Sequence, residues 1–192
     1  MVNAQSAIRY DLDRDVKTVE AMAARLKPYI YEEELYGQMP GDLPKLTVGG
    51  LLMRLHRLSA ILGELASKQR EVVQEAQKKL DEIRRDWAVA LEGKVQREFQ
   101  ARLTSVDQFV NECSENPRNC LDNYPNAAEK RVILQSLADE AEGHGYFTDQ
   151  MKGALSVMDN KLHRYLSKGD FIWDKRLEKA YPPDKYWFLY VK

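Results

Sequence analysis

At 192 residues, with 44% hydrophobic and 31% charged side chains, the chain is long enough to bury one sizeable core and short enough to be one domain, residues 1–192. A net charge of −1 supplies no field to draw in nucleic acid or an anionic lipid surface. No apolar run approaches the roughly 20 residues of a membrane span, so neither nucleic acid nor membrane is expected as a partner.

The first ten residues lack the apolar core of a secretion signal. They are expected to fray, and cytoplasm is the expected location. Leu12, Val16, Val19, Ala23 and Leu26 then recur at gaps of 4, 3, 4 and 3. That heptad spacing predicts a helix from about Leu12 to Lys27, with Pro28 as its stop. Tyr29 to Tyr36 reads as a short helix with Ile30 and Leu35 inward. Glu32, Glu33 and Glu34 read as a solvated run, because neighbours on a helix point about 100° apart and cannot converge on one ion. Gly37, Pro40, Gly41 and Pro44 mark a loop.

The stretch from Thr47 to Cys113 organises the rest. Thr47 is the expected N-cap. Gly49 and Gly50 in the first turn suggest close packing against a neighbour, since no Walker or G-x-G-x-x-G pattern surrounds them. Leu51, Leu55, Leu58, Leu62 and Leu65 repeat the 4-3-4-3 spacing, matching the first helix as a packing partner. The pattern falters at Ser67, where a break is expected. The second part holds Val72, Ala76, Leu80, Ile83, Trp87, Leu91, Val95, Phe99, Leu103, Val106, Val110 and Cys113. From Ile83 to Leu103 every gap is 4, so the stripe drifts about 40° per step. Either the helix kinks near Gly93 or its halves meet different partners, and the second fits better, a lone glycine costing only about 1 kcal/mol. Glu75–Lys79, Lys78–Glu82, Asp81–Arg85, Lys94–Glu98 and Glu98–Arg102 stand at i,i+4 and read as solvent-facing pairs. Nine basic and seven acidic residues between Lys68 and Arg102 form no basic stripe.

Cys113 and Cys120 are the only cysteines. They are expected as reduced thiols, the first in the core and the second in a turn-rich loop running from Glu115 to Pro125. A helix from about Pro125 to Glu142 follows, closed by Gly143 and Gly145. Thr148 caps the next helix, with Met151, Leu155, Met158, Leu162 and Tyr165 inward and Gly169 at its end. The segment after Asp170 carries seven of the 18 aromatics. These are expected to dock on the chain's own helices, with Trp187 and Phe188 also candidates for contact with a second copy.

No catalytic motif stands out, and no cofactor is implied. His56 is expected at the edge of a packing face, and Asp159 with His163 as a hydrogen-bonded pair. The best enzymatic alternative rests on two acidic doublets, Glu112 with Glu115 and Asp139 with Glu142. Four carboxylates on adjacent helices would hold Mg²⁺ for phosphohydrolase chemistry or make a small-ligand site. The leading expectation is different: an all-α, elongated bundle built around the long helical stretch, with an irregular aromatic tail. It is read as a non-catalytic structural or protein-interaction module that forms a homodimer. The motive is a stripe too long and too twisted for its neighbours to cover, with Trp87 as the candidate contact.

Overall fold

The Asp11 carboxylate accepts a hydrogen bond from the Arg14 N–H and starts helix α1, Leu12–Tyr31. The structure, a computed structural model, describes residues 9–192, leaving aside the side chains of 117–119 and 121. The fraying expected of the first ten residues falls mostly outside this range. Tyr10 is anchored, its N–H donating to Asp174 and its hydroxyl to Asp15. α1 passes through Pro28 instead of ending before it. The missing N–H deprives only the Ala24 carbonyl, on an exposed side that water can serve, while buried Tyr29 and Ile30 hold the final turn. Residues 32–36 are therefore irregular, not a separate helix.

Thr47 caps α2, Val48–Ala60, accepting from the Gly50 N–H at 3.0 Å. A short 3-10 helix, Leu62–Glu64, leads to α3, Ser67–Asp86, so the expected break at Ser67 is present. A second break separates α3 from α4, Ala88–Glu115, and it lies at Trp87, not Gly93. Trp87 alone leaves the helical conformation, with φ −136° and ψ 32°. This resolves the drifting stripe: α3 lies chiefly on α1, whereas α4 lies chiefly on α5. Ala76, Leu80 and Ile83 are buried on the first face, and Leu91 through Cys113 on the second.

Helix α5, Pro117–Gly143, starts eight residues before the expected Pro125. Proline at its first position sacrifices no intrahelical bond. The hairpin so formed brings Cys113 and Cys120 to a Cα separation of 4.8 Å, and they are joined in a disulfide. Reduced thiols were the expectation; a loop between them left their distance open, and the helical hairpin closes it. Gly145, at φ +79°, turns the chain after α5, where the Tyr146 N–H reaches back to the Ala141 carbonyl. Thr148 caps α6, Asp149–Leu162, through the Met151 N–H.

Gly169 does not end that helix. It lies in strand β1, Lys168–Phe171, which pairs antiparallel with β2, Tyr190–Val191. A Cβ there would stand 2.7 Å from the Val191 backbone, so the pairing needs glycine. The tail packs onto the helices, burying Tyr181, Tyr186, Phe188 and Leu189. Tyr124 of α5 donates its hydroxyl proton to the Phe188 carbonyl. The fold is thus all-α around a 28-residue helix, α4, with one small ribbon and an aromatic C-terminal cluster. Among the described residues no helix is long and apolar enough to cross a membrane.

Candidate functional site

The two acidic doublets are not brought together. Cys113 opposite Cys120 and Phe109 opposite Tyr124 (ring centroids 5.9 Å apart) set the antiparallel register of α4 and α5. That register places Asp139 level with Lys94, in the second turn of α4, about 18 residues or roughly 27 Å along the hairpin from Glu112. Asp139 instead meets Lys185 at 2.7 Å and the Gln135 amide at 3.0 Å. Glu112, Glu115 and Glu142 are exposed. Among the described residues, no three His, Cys, Asp or Glu side chains are grouped to hold a metal ion.

The histidines also find separate partners. His56 Nε2 lies 2.6 Å from the Ala180 carbonyl oxygen, and its ring is near those of Tyr181 and Tyr186, which contact each other. His163 stacks flat on Trp187, with centroids 3.6 Å apart. It does not pair with Asp159, which holds Arg131 through two hydrogen bonds of 2.7 and 2.9 Å. Arg131 in turn lies 4.3 Å above the Phe188 ring. Trp187 is half-covered and Phe188 wholly buried. Phe188 is therefore a core residue with no surface to offer a second copy.

Several charges read as solvent-facing are interior. Glu98 is fully buried, and its carboxylate accepts from the Gly49 N–H at 2.8 Å and from Arg102 at 3.0 Å. Lys94, its presumed i,i+4 partner, turns away to the Glu34 carbonyl and lies 4.0 Å over the Tyr29 ring. Burial, and after it the nearby Arg97, pulls the Lys94 ammonium below the ordinary lysine range. Asp81 pairs with Arg84, not Arg85, and Arg84 also holds the buried Glu140. The signal available was position: Glu98 sits between Val95 and Phe99, on the border of the apolar stripe, not opposite it.

A corner where α3 meets α4 leaves apolar side chains uncovered. Trp87 is 36% exposed and packs edge-on against Tyr31, itself 52% exposed, with centroids 4.5 Å apart. Val89, two residues on, is 85% exposed. A shallow groove of about 180 Å³ runs from Trp87 between α1 and α3, lined in part by Lys27, Lys79, Glu82 and Asp86. The hydrogen bond from Arg85 keeps the Asp86 carboxyl below the usual carboxylate range. The corner therefore presents two aromatic rings beside two positive and two negative side chains. No protein-family model, curated protein or solved structure matches this chain.

Proposed function

We propose that the chain is a non-catalytic protein-interaction module that pairs with a second copy through the Trp87 corner. The observation that carries this reading is the exposed Tyr31–Trp87 pair. Aromatic rings are the side chains most often found at the energetic centre of interfaces. The wider stripe from Val72 to Cys113 no longer supports pairing along its whole length, because α1, α5 and their neighbours cover it; the contact contracts to this corner. A second copy is the occupant because the groove is balanced in charge. In a twofold contact a residue of one copy meets a different residue of the other, so Lys27 and Lys79 of one copy can face Glu82 of the other, Asp86 being held by Arg85. Separation of the acidic doublets is what favours this reading over metal-dependent hydrolysis.

Location belongs to the same proposal. A cytoplasmic chain would carry Cys113 and Cys120 reduced, whereas the disulfide suits oxidising surroundings. Alkylation of the protein as extracted from its host separates the two: blocked cysteines mean an oxidising compartment, labelled ones the cytoplasm.

Sedimentation of three proteins tests the contact: the unaltered chain, Trp87→Glu and Val157→Glu. Val157 is 57% exposed on α6 and controls for the loss of any surface apolar group. Trp87→Glu is expected to shift the population to monomer with helicity intact, and Val157→Glu to leave it unchanged. Equal behaviour of all three would contradict the assignment.

A further inference from the structure

Asp15 is a buried carboxylate on α1, and two arginines of α2 turn toward it. Arg57 takes both oxygens, Nε donating to Oδ2 at 2.6 Å and Nη2 to Oδ1. The Tyr10 hydroxyl donates to Oδ2 as well, at 2.6 Å. Arg54, one turn earlier and only 8% exposed, is left over. Its Nη1 donates back to the Gly50 carbonyl at 2.8 Å, while its Nε stands 3.2 Å from Asp15 Oδ1 and, among the described residues, makes no hydrogen bond. One carboxylate thus faces two guanidinium groups, and the buried cluster holds one positive charge too many. An unbalanced buried charge is costly, and a counter-charge beside it is correspondingly favourable.

A cavity of about 320 Å³ opens onto this cluster. Of its other acids, two are committed elsewhere and the third is exposed. Asp11 caps α1, and Asp174 is held by Arg176 and the Tyr10 N–H. Exposed Glu129 acts on Arg54 through charge alone. Tyr10, Pro44, Pro125, Trp173 and Leu177 supply apolar wall. The two arginines respond oppositely to their setting. Burial and then Arg57 pull Arg54 below its ordinary value, whereas at Arg57 the Asp15 hydrogen bonds and charge overcome burial and raise it.

We propose that this cavity binds a small organic carboxylate, its charged head on Arg54 and its apolar body against Trp173 and Tyr10. The excess of a single positive charge in the buried cluster favours a monoanion; of the other two arginines on the cavity wall, Arg14 is paired with Asp42 and Arg9 is exposed. A phosphate dianion would overshoot it within reach of Asp11, Asp174 and Glu129. The volume lies at the lower end of small-molecule sites, which fits a ring or short chain and little more.

Thermal melting and calorimetric titration of the full chain with acetate, benzoate and phenylacetate test this, with benzamide as the uncharged control and inorganic phosphate as the dianion. Benzoate or phenylacetate is expected to raise the melting temperature saturably, by about 5–10 °C at a hundredfold excess over Kd. Benzamide should leave it unmoved, and phosphate should give a smaller shift. Arg54→Met should lose the shift. Glu129→Gln, a rim change that leaves the core alone, should tighten binding several-fold by removing a competing charge. No shift with any carboxylate, an equal shift with benzamide, or a larger shift with phosphate would overturn the proposal. Should Arg54→Met fail to fold, Glu129→Gln decides, and unchanged affinity there would overturn it.

Discussion

Glu98, in the middle of α4, accepts a hydrogen bond from the N–H of Gly49 at the start of α2. A helix N-terminus leaves its first N–H groups without partners and carries partial positive charge. Here a buried carboxylate from another helix satisfies one of them, with Arg102 balancing the charge at 3.0 Å. The approach depends on Gly49 having no side chain. A Cβ there would lie 2.6 Å from Ile133 Cγ2 and 2.9 Å from Leu137 Cγ. The three helices α2, α4 and α5 meet at this point.

Glu98→Ala is therefore expected to cost about 3–5 kcal/mol, because it strands Arg102 and the Gly49 N–H. Gly49→Ala is expected to cost about 1–3 kcal/mol by overpacking. Gly93→Ala serves as the contrast, since nothing lies within 4 Å of a Cβ at that position. It should stabilise α4 by about 0.5–1 kcal/mol. Urea denaturation of the three variants checks the order.

The Cys113–Cys120 disulfide closes a loop of a few residues, which the chain-entropy estimate values at about 2.5 kcal/mol. Reduction, or the double change to serine, should lower the melting temperature by about 5–10 °C. The loss should fall on the hairpin tip, so that hydrogen exchange there accelerates before exchange in the middle of α4. Calorimetry with and without reductant measures the first effect, and exchange mass spectrometry the second.

Tyr29, Tyr124, Tyr146, Tyr181 and Tyr186 all have hydroxyls pushed well above the ordinary tyrosine value, burial being the first cause in each. In the unfolded chain they ionise near pH 10. Above that pH the unfolded state has released protons that the folded state retains, so the equilibrium moves toward unfolding. The stabilisation is complete below about pH 10 and is lost as pH rises toward the folded values. Urea midpoints should hold steady from about pH 7 to 9 and fall steeply above about 10, with the buried tyrosines adding their share of the tyrosinate absorbance only as the chain unfolds, after exposed rings such as Tyr31 and Tyr36.

Much of the helical frame was legible because its signals are local. Thr47 and Thr148 cap where their side chains and the following apolar rhythm say they should. The break at Ser67 follows from the loss of apolar positions. Trp87 was harder to place, since one residue leaves the helix and both the Trp87 N–H and the Leu91 N–H stay bonded at helical spacing. Pro28 and Pro125 misled because a proline stops a helix only where the lost bond goes unreplaced, which depends on exposure in the folded chain. The buried charges could not be found by periodicity. Asp15, Lys94 and Glu98 look like surface residues until the partner elements deliver Arg57, the Tyr29 ring and the Gly49 N–H. The candidate contact was legible only as the large residue Trp87 in mid-stripe; its pairing with Tyr31 is a tertiary fact.

The most direct test of the central claim is the mass of the unaltered chain in solution, measured by light scattering at micromolar concentration. The chain weighs 22.2 kDa, so a twofold pair through the Trp87 corner predicts a mass of about 44 kDa. A mass of 22.2 kDa that stays constant as concentration rises would contradict the claim.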